Sequence, residues 1–187
     1  MSSRTRTWLA IYARALGRMA RGEGPAADPP RRILLPHHSL LGDTILLAAC
    51  VAKLRARHPQ AEIVHVMPRA FVPLFAGRPW DAVPVGWSAR DPGSLAALWK
   101  LGPFDLAVIN GDNRFSWLAR AIGARRVVAF SGDPSAYKNW PVTDFVAMPD
   151  RPMAWSDLVS TLVPGEPAEP YSRGQWPAPP CGTYDRP

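Results

Sequence analysis

The sequence predicts an α/β domain in which a parallel sheet carries helices on both faces. Across residues 33–163, short apolar runs alternate with segments that have the spacing of amphipathic helices. Such alternation makes consecutive strands parallel and covers the sheet with the intervening helices, which is the Rossmann-like arrangement. The chain has 187 residues, 47% of them hydrophobic, which is enough for one globular domain with a core and tails.

Glycine and proline residues delimit the elements of this domain. Pro59 ends the first predicted helix, Gly102 and Pro103 end the third, and Gly123 closes the fourth. Pro84 predicts that the third strand lies at an edge or is an irregular piece, because proline lacks the amide that a central strand needs. The predicted strands are residues 33–35, 63–67, 82–85, 106–110 and 126–130. The predicted helices are residues 44–58, 71–76, 94–101, 115–122 and 155–163.

Residues 1–30 predict a basic amphipathic helix, over about residues 4–21, and a linker. The helix has apolar residues such as Trp8, Ile11 and Tyr12 on one face and arginines on the other. It can adsorb to an anionic membrane surface, or it can pack against another part of the protein. An Arg-rich start without acidic residues also resembles an organelle transit peptide.

Two further segments complete the predicted organisation. Residues 31–163 form the α/β domain, and the Pro-rich segment 164–187 reads as a linker without apolar periodicity. Only two cysteines are present, which favours a reducing, cytoplasmic setting over a disulfide framework. The sequence has no apolar run near the roughly 20 residues that span a bilayer.

The net charge of +7 is unevenly distributed. Residues 1–32 contain seven arginines against two acidic residues, so the rest of the chain is nearly balanced. A nucleic-acid partner would require basic residues spread over the folded body. The distribution therefore argues against nucleic-acid binding.

Three loops that follow predicted strands carry an adjacent Gly-Asp pair, and parallel strands bring such loops to one edge of the sheet. They are residues 39–43, 111–114 and 131–133. Glycine and aspartate also form ordinary turns and helix caps, so each loop has a purely structural interpretation. Their shared position favours a ligand site built from at least one of them.

The candidate site residues come from these loops and from neighbouring connections. Asp43, at a predicted helix N-terminus, is a candidate general base and equally a candidate helix cap. The candidate substrate-binding residues are Ser39, Gly42, Arg69, Asp112, Asn113, Arg114 and Lys138. The cations among them, together with Arg90, could hold phosphate or carboxylate groups, or could be solvated surface charges.

The sequence predicts no metal site and lacks several common catalytic motifs. His37 and His38 are adjacent in an extended segment, so their side chains point to opposite faces. His58 and His65 have no ligand partner at a useful spacing. No G-x-S-x-G, Walker A or G-x-G-x-x-G motif is present, which disfavours nucleophilic hydrolysis, P-loop chemistry and dinucleotide binding.

Three blocks of the sequence resemble the heptosyltransferases of glycosyltransferase family 9. The run ILLPHHSLLGDTILLAACVAKLRARHP is similar to the opening of that family, where S-x-x-G-D follows an apolar strand. Gly42, Asp43, Leu54 and Pro59 match at that spacing. The runs AEIVHVMPRAFVPLF and FDLAVINGDNRFSWLARAIGARRVVAF resemble two later blocks, so the similarity covers about residues 32–133.

The resemblance implies the N-terminal, acceptor-binding half of a two-domain GT-B enzyme. Such an enzyme would transfer heptose from ADP-heptose to a lipopolysaccharide core or related glycan, with inversion and without a metal or other cofactor. Asp43 stands where the family has its proposed base. The nucleotide-sugar domain is expected outside this chain, so the chain alone is expected to be inactive. The expected location is the cytoplasm, or the inner face of the cytoplasmic membrane.

Several positions depart from the family pattern. Pro36, His37 and His38 replace the usual apolar residue and cation after the first strand, and Ala49 replaces a proline. The segment 110–112 replaces an acidic stretch, and the basic helix is additional. These differences leave a second hypothesis open, a non-catalytic module that binds an anionic or phosphorylated ligand at a membrane surface.

Overall fold

The sheet is parallel throughout and has helices on both faces, as the sequence predicts. The computed structural model describes residues 2–166 together with Gly174 and Trp176. Within them, six strands are arranged in the order β3-β2-β1-β4-β5-β6. The strands are β1 (Arg32–Pro36), β2 (Glu62–Pro68), β3 (Ala82–Trp87), β4 (Phe104–Ile109), β5 (Ala124–Phe130) and β6 (Asp144–Val146). Strand β3 lies at an edge, which confirms the expectation from Pro84.

The helices alternate with these strands. They are α1 (Ser3–Arg21), α2 (Leu41–Leu46), α3 (Ala48–Arg57), α4 (Val72–Phe75), α5 (Pro92–Leu98), α6 (Phe115–Ile122), α7 (Ala136–Asn139) and α8 (Trp155–Ser160). A short 3-10 turn, Arg69–Phe71, precedes α4. The predicted helix 44–58 is divided at Leu47 into α2 and α3, although the Leu47 backbone stays helical at φ −68° and ψ −14°. Gly123 closes α6 with φ 116°, as predicted.

Two apolar layers, one on each face of the sheet, form the core. Leu34 packs in the layer that contains residues from α1, α5 and α6. Its neighbours Ile33 and Leu35 pack in the other layer, with residues from α3, α4 and α8. This alternation follows from the two-residue period of a strand. A central strand such as β1 is therefore apolar along most of its length, as the sequence shows.

Strands β1 and β4 are neighbours at the centre of the sheet, and the strand order runs outward from them in both directions. Connections after these two strands therefore diverge, and a crevice opens between them at the carboxyl edge. In open α/β sheets this topological switch point is the usual place for a ligand.

Helix α1 packs against the α/β domain, which is the second of the alternatives that its pattern left open. Ile11 and Ala15 are fully buried in the layer that contains α6. The Arg14 Nε donates to the Ala121 carbonyl at 2.9 Å. Most of the apolar face is therefore unavailable to a membrane, while Leu9 and other apolar side chains stay exposed. No helix in the described part of the chain is long and apolar enough to cross a bilayer.

The segment between α1 and β1, predicted as a linker, is fixed at its end by one carboxylate. Asp105, at the start of β4, accepts hydrogen bonds from the amides of Ala27, Arg31 and Arg32 at 2.9–3.2 Å. Burial would raise the pKa of Asp105, but these bonds hold it below its ordinary value. Most of the predicted second linker, 164–187, lies outside the described residues, as does Cys181.

Candidate functional site

A cavity of about 480 Å³ lies at the carboxyl edge of the sheet. Its walls come from the connections after β1, β3 and β4 and from the first turns of α1. Residues after β1 and β4 line it together, so the cavity occupies the topological switch point. Its volume is in the range of small-molecule sites in proteins.

A pair of buried histidines fixes the connection after β1. The His37 amide donates to the Val66 carbonyl at 2.9 Å, and the His37 Nδ1 accepts from the Ser39 amide at 3.2 Å. The His37 Nε2 must then carry the ring proton, and it donates to the His65 Nε2 at 3.0 Å. His65 is left with its proton on Nδ1, which has no partner among the described residues.

Both imidazoles are neutral near pH 7. Burial, with a smaller contribution from neighbouring His38, lowers the pKa of His37 from 6.5 to about 3. Burial and the contact with His37 also lower the pKa of His65 well below its ordinary value. The spacing of the histidines indicated no metal-ligand partner for His65, and in the structure its partner is a hydrogen-bonded ring, His37. Leu35 pairs with His65 in the sheet. His37 follows Leu35 by two residues, so its side chain lies on the same face of the sheet as those of Leu35 and His65.

Aromatic side chains form one wall of the cavity. The ring centroid of Trp8, on α1, lies 6.5 Å from that of Trp87 and 6.0 Å from that of Phe115. The Trp87 indole N–H donates to the His37 carbonyl at 3.3 Å, so this wall is bonded to the connection after β1. Exposed His38 lies edge-on to Trp87 at 5.9 Å. The sequence indicated that Trp8 faces a core, but not that it borders a cavity.

Asn110, directly after β4, is buried at the base of the cavity with no partner for its side chain. It is 3% exposed, and neither its amide nitrogen nor its amide oxygen forms a hydrogen bond within the described part of the chain. The indole nitrogen of Trp8 and the Nε of Arg114 are buried and unpartnered in the same way. Buried polar groups in proteins are nearly always hydrogen-bonded, so this cluster indicates a place for ligand groups.

Arg114 and Lys138, two of the predicted substrate-binding residues, form ion pairs with carboxylates beside the cavity. Arg114 pairs with Asp112 at 2.6 Å, and Lys138 pairs with Asp112 at 3.1 Å and with Asp133 at 3.2 Å. Burial would raise the pKa of Asp112, but hydrogen bonds from Arg114 and Lys138 hold it below its ordinary value. Burial would lower the pKa of Lys138, but its bonds to the two carboxylates raise it. The network contains two cations and two anions and adds no net charge.

Two arginines on the cavity rim have no carboxylate partner among the described residues. Arg4 and Arg90 both line the cavity, and neither side chain forms an ion pair within residues 2–166. The cavity is therefore positive and favours an anionic ligand.

The structure brings three of the predicted site residues, Ser39, Asp112 and Arg114, into the cavity lining. Asp43 and Gly42 lie in the exposed first turn of α2, outside that lining. Leu40, not Asp43, occupies the N-cap position of α2 and makes no side-chain cap hydrogen bond, while Asp43 lies in the first turn. Asp43 therefore has no structural role as a cap, and its proposed role as a base stays a prediction.

Two further predicted site residues, Arg69 and Asn113, are outside the cavity lining. Arg69 pairs with Asp91 at 3.0 Å on the surface. Asn113 is buried, and its amide nitrogen donates to the Phe130 carbonyl at 2.9 Å and to the Asn139 side chain at 2.8 Å. Both have local structural partners instead of facing the cavity. No cluster of three or more His, Cys, Asp or Glu side chains suited to a metal occurs in the described residues.

The fold is that of glycosyltransferase family 9 proteins. The solved structure of a family 9 glycosyltransferase from Veillonella parvula matches with a TM-score of 0.58 and 18% identity, over 71% of this chain and 40% of that chain. The E. coli heptosyltransferase WaaC, solved with ADP-2-deoxy-2-fluoro heptose, matches with a TM-score of 0.59 and 11% identity, over 71% and 47%. E. coli ADP-heptose lps heptosyltransferase II matches with a TM-score of 0.53 and 16% identity, over 71% and 40%.

At these identities the match establishes a shared fold, and the resemblance seen in the sequence is confirmed at that level. The chain spans less than half the length of each of these structures. No protein-family model matches the chain. The chain is also 29% identical over 126 residues to alcohol dehydrogenase class-3 from Pisum sativum. This match covers 65% of this chain and 29% of that protein.

Proposed function

We propose that this chain is the acceptor-binding half of an inverting glycosyltransferase. It would serve the transfer of heptose from ADP-heptose to a lipopolysaccharide core or a related glycan, with the sugar nucleotide bound by a domain outside this chain. The observation that carries the proposal is the positive cavity at the switch point of a fold shared with heptosyltransferases. An acceptor glycan that carries phosphate or carboxylate groups would match its two unpaired arginines, Arg4 and Arg90.

Asp43 is the proposed general base. An inverting transfer requires a base that takes the proton of the acceptor hydroxyl while its oxygen bonds to the anomeric carbon and the nucleoside diphosphate leaves. The exposed turn that carries Asp43 directly follows the connection that contributes His38 and Ser39 to the cavity. A glycan that extends from the cavity past Ser39 would bring a hydroxyl toward this carboxylate.

Calorimetric titration of the purified chain tests the binding part of the proposal. We expect heat from a deacylated lipopolysaccharide core and none from ADP-heptose, because the acceptor groups match the cavity. Binding of the nucleotide sugar alone would instead assign a donor site to this domain. Binding of neither would leave the family likeness as a matter of fold only.

The position of Asp43 outside the cavity lining favours a second candidate, a non-catalytic module for an anionic ligand at a membrane surface. Leu9, Leu16 and Met19 are exposed on α1 at 51%, 49% and 38%, among its arginines. This module would be cytoplasmic and peripheral to the membrane. Sedimentation with phosphatidylglycerol vesicles, compared between wild type and Leu16→Ser, would support it if the wild type alone sediments.

A further inference from the structure

We propose that helix α1 completes the ligand site. In this arrangement Arg4 and Trp8 act with Asn110 to bind a sugar that carries an anionic substituent. The inference rests on the proposed function in taking the ligand to be a glycan, and it adds which residues recognise which groups. By the sequence resemblance, the helix is additional to the family pattern, which would make this wall of the cavity a feature of the present chain.

The helix is held in place independently of any ligand. Ile11 and Ala15 are fully buried in the core on one side of the sheet. At its first turn, the Ser3 hydroxyl donates to the Arg90 carbonyl at 2.9 Å. This bond fixes the start of α1 against the connection after β3, so that Arg4 and Arg90 share one rim of the cavity.

The unpartnered side chain of Asn110 indicates that the ligand contributes a hydroxyl group. Its amide has a donor and an acceptor, and both are buried and unpartnered at the base of the cavity. A hydroxyl both donates and accepts, so a single sugar hydroxyl, or a neighbouring pair, can satisfy both sides of the amide. A bare phosphate offers mainly acceptors and would leave the amide oxygen unsatisfied.

Trp8 supplies an apolar surface next to this polar base. Its ring lies beside Trp87 and Phe115, and its buried indole N–H has no partner within the described residues. A sugar ring has C–H faces that pack on an indole and hydroxyls that accept from an indole N–H. The wall formed by α1 therefore fits a sugar better than a small inorganic anion.

Arg4 and Arg90 supply the charge that binds the anionic substituent. The charge of Arg114, the third arginine at the cavity, is balanced by Asp112, so the two rim arginines provide the net positive charge for a ligand. Phosphate and carboxylate groups present the same arrangement of oxygens to a guanidinium. The shared chemistry is an oxyanion, and its source must be decided by experiment.

The test uses the full chain and three probes, glucose 6-phosphate, glucuronate and glucose. Binding is followed in ¹H–¹⁵N NMR spectra through the indole N–H of Trp8, assigned with the Trp8→Phe variant. We expect this resonance to shift with an anionic sugar at concentrations where glucose has no effect. The phosphate and carboxylate probes show which oxyanion is preferred. No shift with either anionic sugar, or equal binding of glucose, would overturn the inference.

Point variants then test the named residues. Arg4→Gln and Asn110→Ala should each raise the dissociation constant for the preferred probe by about tenfold, because each removes a bond to the ligand. Neither change breaks an internal hydrogen bond of the described residues, so the fold should be retained. Arg6→Gln is the matched control, since Arg6 is exposed on the same helix outside the cavity. Equal dissociation constants for all three variants and wild type would exclude a role for α1.

The same variants separate this inference from the proposed function. If the anionic sugars bind as predicted but the deacylated core does not, the acceptor function fails and the α1 site stands. If the core binds equally to Arg4→Gln and Arg6→Gln, the α1 site fails and the acceptor function stands.

Discussion

At the scale of single residues, the His37–His65 pair holds the wall of the cavity that follows β1. The two rings share one hydrogen bond, and His37 also accepts from the Ser39 amide. Both rings must be neutral for this arrangement, because protonation of either ring would remove the nitrogen that accepts its hydrogen bond. The pair therefore couples the geometry of the cavity to pH.

The first prediction concerns the pH dependence of stability. The pKa values of both histidines are lower in the folded chain than the ordinary 6.5, so below that pH the unfolded chain binds more protons. The free energy of unfolding should therefore fall as pH drops below about 6.5, because unfolding then takes up protons on both imidazoles. Denaturant unfolding between about pH 7 and pH 5 measures this slope.

The variant His65→Phe provides the comparison for that slope. It removes one of the two buried imidazoles, so we expect the histidine part of the slope to decrease by about half. His58→Gln, at the end of α3, is the comparison for a histidine outside the pair; burial also lowers the pKa of His58, so this variant should decrease the slope by a smaller amount. An unchanged slope in His65→Phe would show that the pair is not neutral and buried in solution.

The second prediction concerns Asp43. In a protein that joins this domain to a nucleotide-sugar domain, Asp43→Asn should lower turnover by about 10²–10⁴-fold, because the acceptor hydroxyl loses its base. In the present chain the same change should leave the affinity for deacylated core within about twofold, since Asp43 lies outside the cavity lining. Asp150→Asn, another exposed carboxylate, is the control. Near-normal turnover of Asp43→Asn would remove Asp43 as the base.

Some site residues could be predicted from the sequence and others could not. Ser39, Asp112 and Arg114 follow strands, and the rule that strand ends of a parallel sheet converge was enough to bring them together. Trp8 depends on where α1 packs, which sequence periodicity does not specify. Asn110 is distinguished by what it lacks, a hydrogen-bond partner, and only the packed structure shows this.

At the scale of elements, α1 shows what an amphipathic pattern establishes. The pattern predicted a helix with one buried face, and the structure has that helix over Ser3–Arg21. The partner of that face is α6 of the same domain, which no local pattern specifies. The elements that were not predicted, α7 and β6, have four and three residues, too few for a period to be recognised.

The third prediction tests the packing of this helix. Ile11→Ala should lower the free energy of unfolding by about 2–4 kcal/mol, because Ile11 is fully buried and its truncation leaves a cavity. Leu9→Ala, on the same helix but 51% exposed, should change it by less than about 0.5 kcal/mol. Chemical denaturation compares the two variants. Equal, small effects would mean that α1 is not docked on the domain.

At the scale of the whole molecule, the strand order determines where a ligand can bind. The strand order runs outward in opposite directions from β1 and β4, and the cavity lies at the point between these two strands. The domain shares its fold with family 9 glycosyltransferases and spans less than half their length. Under the proposed function, this part supplies the acceptor site, and transfer requires a sugar-nucleotide site beyond it.

The most direct test of this account is the dissociation constant of deacylated lipopolysaccharide core for wild type and for Arg90→Gln. Arg90 lines the cavity and has no ion pair within residues 2–166, so we expect its loss to weaken binding by about tenfold. Arg57→Gln, at the exposed end of α3 and outside the cavity, should bind like wild type. Equal affinities for all three proteins would show that the core, if it binds, does so away from the cavity, and would contradict the account.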